Sequence, residues 1–268
     1  MAVPGRGAQP RRLPNADTRH VPDPDHHAVT IGDGGLRQVV DGLRQYLLAR
    51  TRGSRRRVFV VCRAPNAPGP GVVATALAEE LAWHGARTLL VDGVLAAPSL
   101  AQRYRVTNGL EGEANGLPAT TLDWLQRPDD PHRVVRVAMA EDRTFDLVPQ
   151  LEPARPAPGM APALYAGLAE ALRRWSGYDA IVVDAPSLDG GDDGRLLAAF
   201  ATGVVTEAQH PGYDRRQDRR WAKIVRDTGT DWLGTVLVTA DTPAAVRGDA
   251  EAAIATVRRR AAERPGSA

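Results

Sequence analysis

The sequence contains almost no lysine or cysteine and no long hydrophobic run. Its only lysine is Lys223, although arginine is abundant. The single cysteine, Cys62, excludes an internal disulfide framework. No stretch approaches the roughly 18 consecutive apolar residues of a membrane-spanning helix, and the N-terminus lacks the apolar region of a signal peptide. These absences favour a soluble cytoplasmic protein.

The chain has 268 residues and a formal net charge of +2, so no strong overall field points to nucleic acid or membrane. Short β-branched runs alternate with apolar-periodic segments, which predicts an α/β fold: a doubly wound, mainly parallel sheet with helices on both faces. The predicted strands are 58–62, 88–92, 145–149, 180–184, 203–206 and 233–238. The predicted helices are 36–48, 72–84, 121–126, 161–175, 194–201, 214–228 and 246–262.

The domain organisation follows from composition. Residues 1–30 are rich in Pro, Arg, Asp and His without apolar rhythm, which predicts a disordered tail. Residues 31–262 are expected to form a single α/β domain, and 263–268 a short tail.

A loop rich in glycine and proline joins the first long strand to an apolar helix. In that context a G-x-x-x-x-G-K-[ST] motif binds phosphate. This loop has neither the lysine nor the hydroxyl, and its prolines lack the backbone N–H groups that hold phosphate. We therefore predict a degenerate phosphate loop made of Ala67, Pro68, Gly69, Pro70, Gly71 and Val72.

Several segments resemble one protein family. Residues 66–78 align with the family pattern P-G-E-G-K-S-T-x-A-x-N-L-A, and 85–100 with G-x-R-x-L-L-I-D-x-D-L-R-x-P-x-L. Residues 178–187 resemble Y-D-x-I-I-I-D-T-P-P. On these motifs the chain resembles, over roughly residues 36–240, the cytoplasmic domain of bacterial tyrosine kinases of capsule and exopolysaccharide systems. That family is related to the MinD/ParA P-loop ATPases.

The resemblance also shows which family residues are missing. Pro70 stands in place of the lysine that reaches the phosphates, and Gly71 in place of the hydroxyl that holds Mg²⁺. Val94 replaces the second carboxylate of D-x-D, so Asp92 and Asp184 are the acidic residues left. Phosphoryl transfer depends on positioning and charge neutralisation. We therefore expect no catalysis and no cofactor, with ATP and Mg²⁺ required only if the enzyme alternative holds.

Asp92 and Asp184 end predicted strands and allow two interpretations. They could bind a cation, but two ligands make a poor Mg²⁺ site. The favoured interpretation is that loop N–H groups satisfy both carboxylates. Arg63 directly follows the first long strand, and we hypothesise that it pairs with one of these aspartates and supplies the missing positive charge.

Three functions remain open. The leading one is a catalytically degenerate kinase-like P-loop protein that acts as a regulatory or scaffolding partner in polysaccharide or envelope assembly. Its partner would be a protein, such as a membrane polysaccharide co-polymerase or an active homologue, that recruits it to the membrane. The second is an active ATPase or protein tyrosine kinase that uses Arg63 or a partner residue in place of lysine. The third, a MinD/ParA-type positioning protein, is disfavoured because it needs a nucleotide switch; neither nucleic-acid binding nor direct membrane insertion is expected.

Overall fold

The computed structural model describes the larger part of the chain. The described residues are 28–30, 36–53, 57–65, 67, 71–104, 106, 120–121, 134–154, 161–174, 177–210, 212–239 and 255–258. Their strands are β1 (Ala28–Thr30), β2 (Arg57–Arg63), β3 (Thr88–Asp92), β4 (Val134–Ala138), β5 (Thr144–Val148), β6 (Ala180–Ala185), β7 (Gly203–Gln209), β8 (Trp232–Val238) and β9 (Ala255–Arg258). Their helices are α1 (Leu36–Arg50), α2 (Val72–Trp83), α3 (Leu100–Arg103), α4 (Ala161–Arg174), α5 (Asp193–Ala198) and α6 (Arg215–Asp227).

All the described strands belong to one sheet, in the order β1-β8-β7-β2-β6-β3-β5-β4-β9. Each neighbouring pair from β1 to β5 in this order is parallel, whereas β4 runs antiparallel to both β5 and β9. Parallel neighbours need crossover connections, and helices supply them between most of the strands. The predicted α/β fold with a mainly parallel sheet is confirmed.

Helices cover both faces of the sheet. Successive side chains of each strand point to opposite faces, so they pack against different helices. Phe59 and Val61 of β2 lie in the cluster that packs against α1 and α2. Val58, Val60 and Cys62 lie in the cluster that packs against α4, α5 and α6. Burial on both faces explains why the strands are continuous hydrophobic runs rather than alternating ones.

Helix α2 positions the candidate site. Its sequence, VVATALAEELAW, is apolar on nearly every side, and residues Val72 to Ala82 are buried. A helix that is apolar all round is a core helix. Helix α2 follows β2 after a short loop, so its N-terminus lies at the carboxyl edge of the sheet. Beyond its other end the chain turns at Gly85, whose φ is 84°.

The structure corrects one predicted helix. Ala255–Arg258, within the predicted helix 246–262, is strand β9, and Val257 pairs with Val135 of β4. The helix prediction is wrong for these four residues, because the open edge of β4 offers pairing that a local pattern does not reveal. The rest of 246–262, like the predicted helix 121–126 apart from Thr121, lies outside the described residues.

Two further strands were not predicted. Strand β4 has the sequence VVRVA, whose alternation is short and follows a polar segment. Strand β1 comprises the last three residues of the expected disordered tail, and it pairs with β8. Residues 1–27 lie outside the described part of the chain.

Among the helices of the described residues, none combines the length and the apolar character needed to cross a bilayer.

Candidate functional site

Four charged side chains lie next to one another along the carboxyl edge of the sheet. We call them the charged row, and in order they are Glu207, Arg63, Asp184 and Asp92. They are contributed by the adjacent strands β7, β2, β6 and β3. In the strand register Glu207 pairs with Arg63, and Asp184 pairs with Asp92. Arg63, Asp184 and Asp92 were predicted to belong to the site, whereas Glu207 was not. The one sequence signal for Glu207 is an acidic residue inside the otherwise apolar or neutral strand GVVTEAQ.

Glu207 places its carboxylate at the first turn of α2. Its Oε2 accepts a hydrogen bond of 2.9 Å from the backbone N–H of Val73, and the side chain is completely buried. The N-terminus of a helix carries free N–H groups and partial positive charge. A P-loop binds phosphate with these same groups. In this chain the anion at the N-terminus of α2 is the carboxylate of Glu207.

Asp184 forms an ion pair with Arg63. The Nε atom of Arg63 lies 3.2 Å from Oδ1 of Asp184, whose side chain is fully buried. The predicted pairing of Arg63 with one of the two aspartates is thereby confirmed. The same carboxylate lies against Gly71, where an added Cβ would stand 2.5 Å from Cγ of Asp184. The close approach of the loop to Asp184 therefore requires glycine at position 71.

Asp92 is held by backbone N–H groups. Its Oδ1 accepts from Val94 at 3.2 Å, and its Oδ2 accepts from Ser99 and Leu100 at 3.1 Å each. Ser99 and Leu100 begin α3, so Asp92 caps that helix. The interpretation of a carboxylate satisfied by loop N–H groups is confirmed for Asp92. Asp184 differs, because its main partner is a guanidinium.

Burial raises the pKa of all three carboxyl groups in the charged row. It raises the pKa of Glu207 to about 7, against the opposing effect of the hydrogen bond from Val73. The pKa of Asp184 is also raised by burial and is partly lowered again by Arg63. For Asp92, burial is the larger cause and the neighbouring charge of Asp184 the next. A further anion would enter a buried environment that already disfavours negative charge.

A nucleotide with Mg²⁺ does not fit the described residues. The backbone N–H of Val73, in the first turn of α2, already donates to Glu207. Gly71 has no hydroxyl for a metal, and its Cα lies against the carboxylate of Asp184. Lys223 is exposed on α6 and pairs with Asp227 at 2.7 Å. Of the predicted loop, Ala67, Gly71 and Val72 are described, and Pro68, Gly69 and Pro70 lie outside the described residues.

Comparisons with known proteins agree with the motifs. No protein family model matches the chain. A curated protein of Streptococcus agalactiae, the tyrosine-protein kinase CpsD, is 23% identical over 226 residues, which cover 82% of this chain and 93% of the relative. The predicted resemblance to a bacterial tyrosine kinase is confirmed.

Solved structures show the same fold. The kinase domain of the Escherichia coli tyrosine kinase ETK matches with a TM-score of 0.59 at 15% identity, over 80% of each chain. The chimerical protein CapA2B2 matches with a TM-score of 0.57 at 16% identity, over 79% of this chain and 92% of the other. At such identities the likeness establishes the P-loop NTPase-like architecture and not the activity.

Proposed function

We propose that this chain is a kinase-like P-loop protein that has lost catalysis and acts as a regulatory or scaffolding partner in polysaccharide or envelope assembly. The observation that carries the loss of catalysis is the contact between Glu207 and the N–H of Val73. The similarity to the tyrosine-protein kinase CpsD supports the assignment to this type of system.

The contact argues against phosphate binding in two ways. A phosphate at the first turn of α2 would have to displace a buried carboxylate that already uses the N–H of Val73. If Glu207 stayed, the two anions would lie within a few ångströms of each other in a buried place, where like charges repel strongly. Arg63, whose positive charge acts on Glu207, is paired with Asp184.

The charged row then has a structural role in this proposal. Arg63 neutralises Asp184, Glu207 caps α2, and Asp92 caps α3. Together these contacts hold the loops at the carboxyl edge without a bound nucleotide. The fold persists because its two apolar clusters are built mainly from the sheet and helices; of the loop residues described, Val72 belongs to one cluster and Ala67 packs against the other.

We infer one domain for residues 31–262 and a partner that is itself a protein. The inclusion of both β1 and β9 in the same sheet supports a single domain and extends it to Ala28. The resemblance favours a membrane polysaccharide co-polymerase or an active homologue as that partner. Recruitment by either one would bring a chain without nucleotide chemistry to the membrane.

The test is an assay of ATP hydrolysis and of tyrosine autophosphorylation, run with Mg²⁺ on the purified chain and on Asp184→Asn. The proposal expects both proteins to release phosphate at the rate of a protein-free blank, with no phosphotyrosine detected by mass spectrometry. Hydrolysis by the parent chain that Asp184→Asn abolishes would overturn it. That result would establish the alternative, an active ATPase or tyrosine kinase with a non-standard loop.

A further inference from the structure

A second cluster of ionisable side chains lies at the opposite end of α2, on the side that packs against α1. Glu80 and His84 are separated by one helical turn, so they share a face of α2. Asp41 reaches the same place from α1. The cluster is separated from Val73 by about two to three turns of helix, roughly 10–16 Å, and is therefore distinct from the charged row.

The distances from His84 to the other two side chains suit a small tetrahedral ion. The Nε2 atom of His84 lies 3.0 Å from Oε1 of Glu80 and 3.6 Å from Oδ1 of Asp41. One ligand atom from each residue lies within 4.8 Å of the others. An ion with bonds of about 2.0–2.1 Å in tetrahedral geometry separates its ligands by about 3.3 Å. The two measured distances to the imidazole lie on either side of that value.

From this geometry we propose that Asp41, Glu80 and His84 bind a divalent first-row transition ion such as Zn²⁺. One imidazole nitrogen and two carboxylate oxygens form a ligand set that suits zinc better than calcium or magnesium, which prefer oxygen ligands alone. Three protein ligands leave a fourth position for water. The site belongs to this chain and is independent of whether nucleotide binds at the other end of α2.

The surroundings of the cluster orient its ligands. Arg44 donates from Nη2 at 2.7 Å and from Nε at 3.1 Å to Oδ1 of Asp41, and Gln45 donates to Oδ2 at 2.8 Å. Carboxylates that bind metals are commonly held in this way by outer hydrogen bonds. The positive charge of Arg44 also weakens the attraction for a cation. Two carboxylates against one guanidinium still leave the cluster negative when the imidazole is neutral.

Burial differs among the three ligands, and this shapes the site. The side chain of Glu80 is 1% exposed, whereas those of His84 and Asp41 are 44% and 36% exposed. An ion could thus enter from solvent and lie against a carboxylate fixed in the core. Once bound, it would join α1 to α2 through one ligand on the first helix and two on the second.

The test is a calorimetric titration of Zn²⁺ into the full chain with the adjacent His26 and His27 changed to glutamine, which removes the histidine pair of the N-terminal segment. The site predicts one ion bound per chain. His84→Gln is expected to weaken binding at least tenfold, and Asp41→Asn to weaken it as well. The matched control is His210→Gln, which removes another exposed histidine and should leave the affinity unchanged.

A second measurement separates a built site from surface binding. Co²⁺ bound in tetrahedral geometry absorbs strongly in the visible range, and this absorption should appear in the parent and disappear in His84→Gln. Equal affinity of parent and His84→Gln for Zn²⁺ would overturn the proposal. Absence of binding at millimolar Zn²⁺ would also overturn it and would leave the cluster as a set of contacts between His84 and the two carboxylates.

Discussion

Helices α2 and α3 both begin at the carboxyl edge of the sheet, and a carboxylate caps each of them. Helix α3 is capped by Asp92, which is eight residues from Leu100 and accepts three backbone N–H groups. Helix α2 is capped by Glu207, which is 134 residues from Val73 and reaches it across the sheet. The first cap is local, and the second depends on the whole fold.

The two caps also differ in how well their carboxylates are satisfied. Both oxygens of Asp92 accept hydrogen bonds, whereas Oε1 of Glu207 is buried and makes none within the described residues. A half-satisfied carboxylate in the core is unfavourable on its own account. It is kept at the position where a P-loop binds phosphate. The comparison therefore distinguishes an ordinary helix cap from the cap that, in our proposal, occupies a former phosphate site.

The largest expected effect is at Arg63. Arg63→Met leaves Asp184 buried without its ion pair, which should lower the free energy of unfolding by about 3–5 kcal/mol at pH 8. The loss should be smaller at pH 5, because the raised pKa of Asp184 favours its protonation. Adding Asp184→Asn to Arg63→Met should recover most of the stability in urea unfolding. Strictly additive effects of the two substitutions would contradict the pairing.

The next largest effect tests the local cap. Asp92→Ala removes the acceptor of three N–H groups and should lower the free energy of unfolding by about 3 kcal/mol. Asp92→Asn keeps an oxygen at the position of Oδ2 and should lose less than half as much. Equal losses in the two variants, measured by denaturant unfolding, would show that the hydrogen bonds to Asp92 are not what holds α3.

Substitution of Glu207 should raise the stability of the protein, whereas the preceding substitutions lower it. The pKa of Glu207 is raised from 4.5 in the unfolded chain to about 7 in the folded one, so the folded chain binds the proton more tightly. The stability that this proton provides is complete below about pH 4.5 and is lost as the pH rises through about 7. Glu207→Gln should therefore gain on the parent by at most about 3 kcal/mol between pH 4.5 and 8. If the stabilities of the two proteins changed in parallel with pH, Glu207 would not be a buried group whose charge destabilises the folded chain.

The smallest expected effect concerns the space beside Asp184. Gly71→Ala puts a Cβ 2.5 Å from Cγ and Oδ1 of Asp184 and should cost about 1–3 kcal/mol. Gly42→Ala is the control, because nothing lies within 4 Å of an added Cβ on that exposed position of α1. It should stabilise the protein by about 0.5–1 kcal/mol through helix propensity. Thermal unfolding of the two variants should therefore shift in opposite directions.

Much of the fold could be predicted from local patterns. Strand β3 was predicted with its observed bounds, because TLLVD is a short β-branched and leucine run that is buried throughout. Helix α6 was predicted within a residue at each end, where Asp214 and Gln217 form a capping box. Strand β9 was missed because its four residues lie in an alanine- and arginine-rich segment, and only the distant edge of β4 makes them a strand.

Local patterns also predicted some residues of the candidate site and missed one. Asp92, Asp184 and Arg63 could be predicted because each follows or ends a recognisable strand. Glu207 could not, since no local pattern in GVVTEAQ shows that its side chain will meet the first turn of α2. The missing lysine and hydroxyl predict that the phosphate site is lost. The contact of Glu207 with the first turn of α2 could be found only from the three-dimensional fold.

The most direct measurement is a calorimetric titration of ATP and ADP, with and without Mg²⁺, into the purified chain, with thermal unfolding followed alongside. A site filled by Glu207 predicts no binding heat and no shift in the unfolding temperature at millimolar nucleotide. Binding at micromolar nucleotide would contradict the account, because it would mean that phosphate displaces Glu207 from α2 without the lysine of a P-loop.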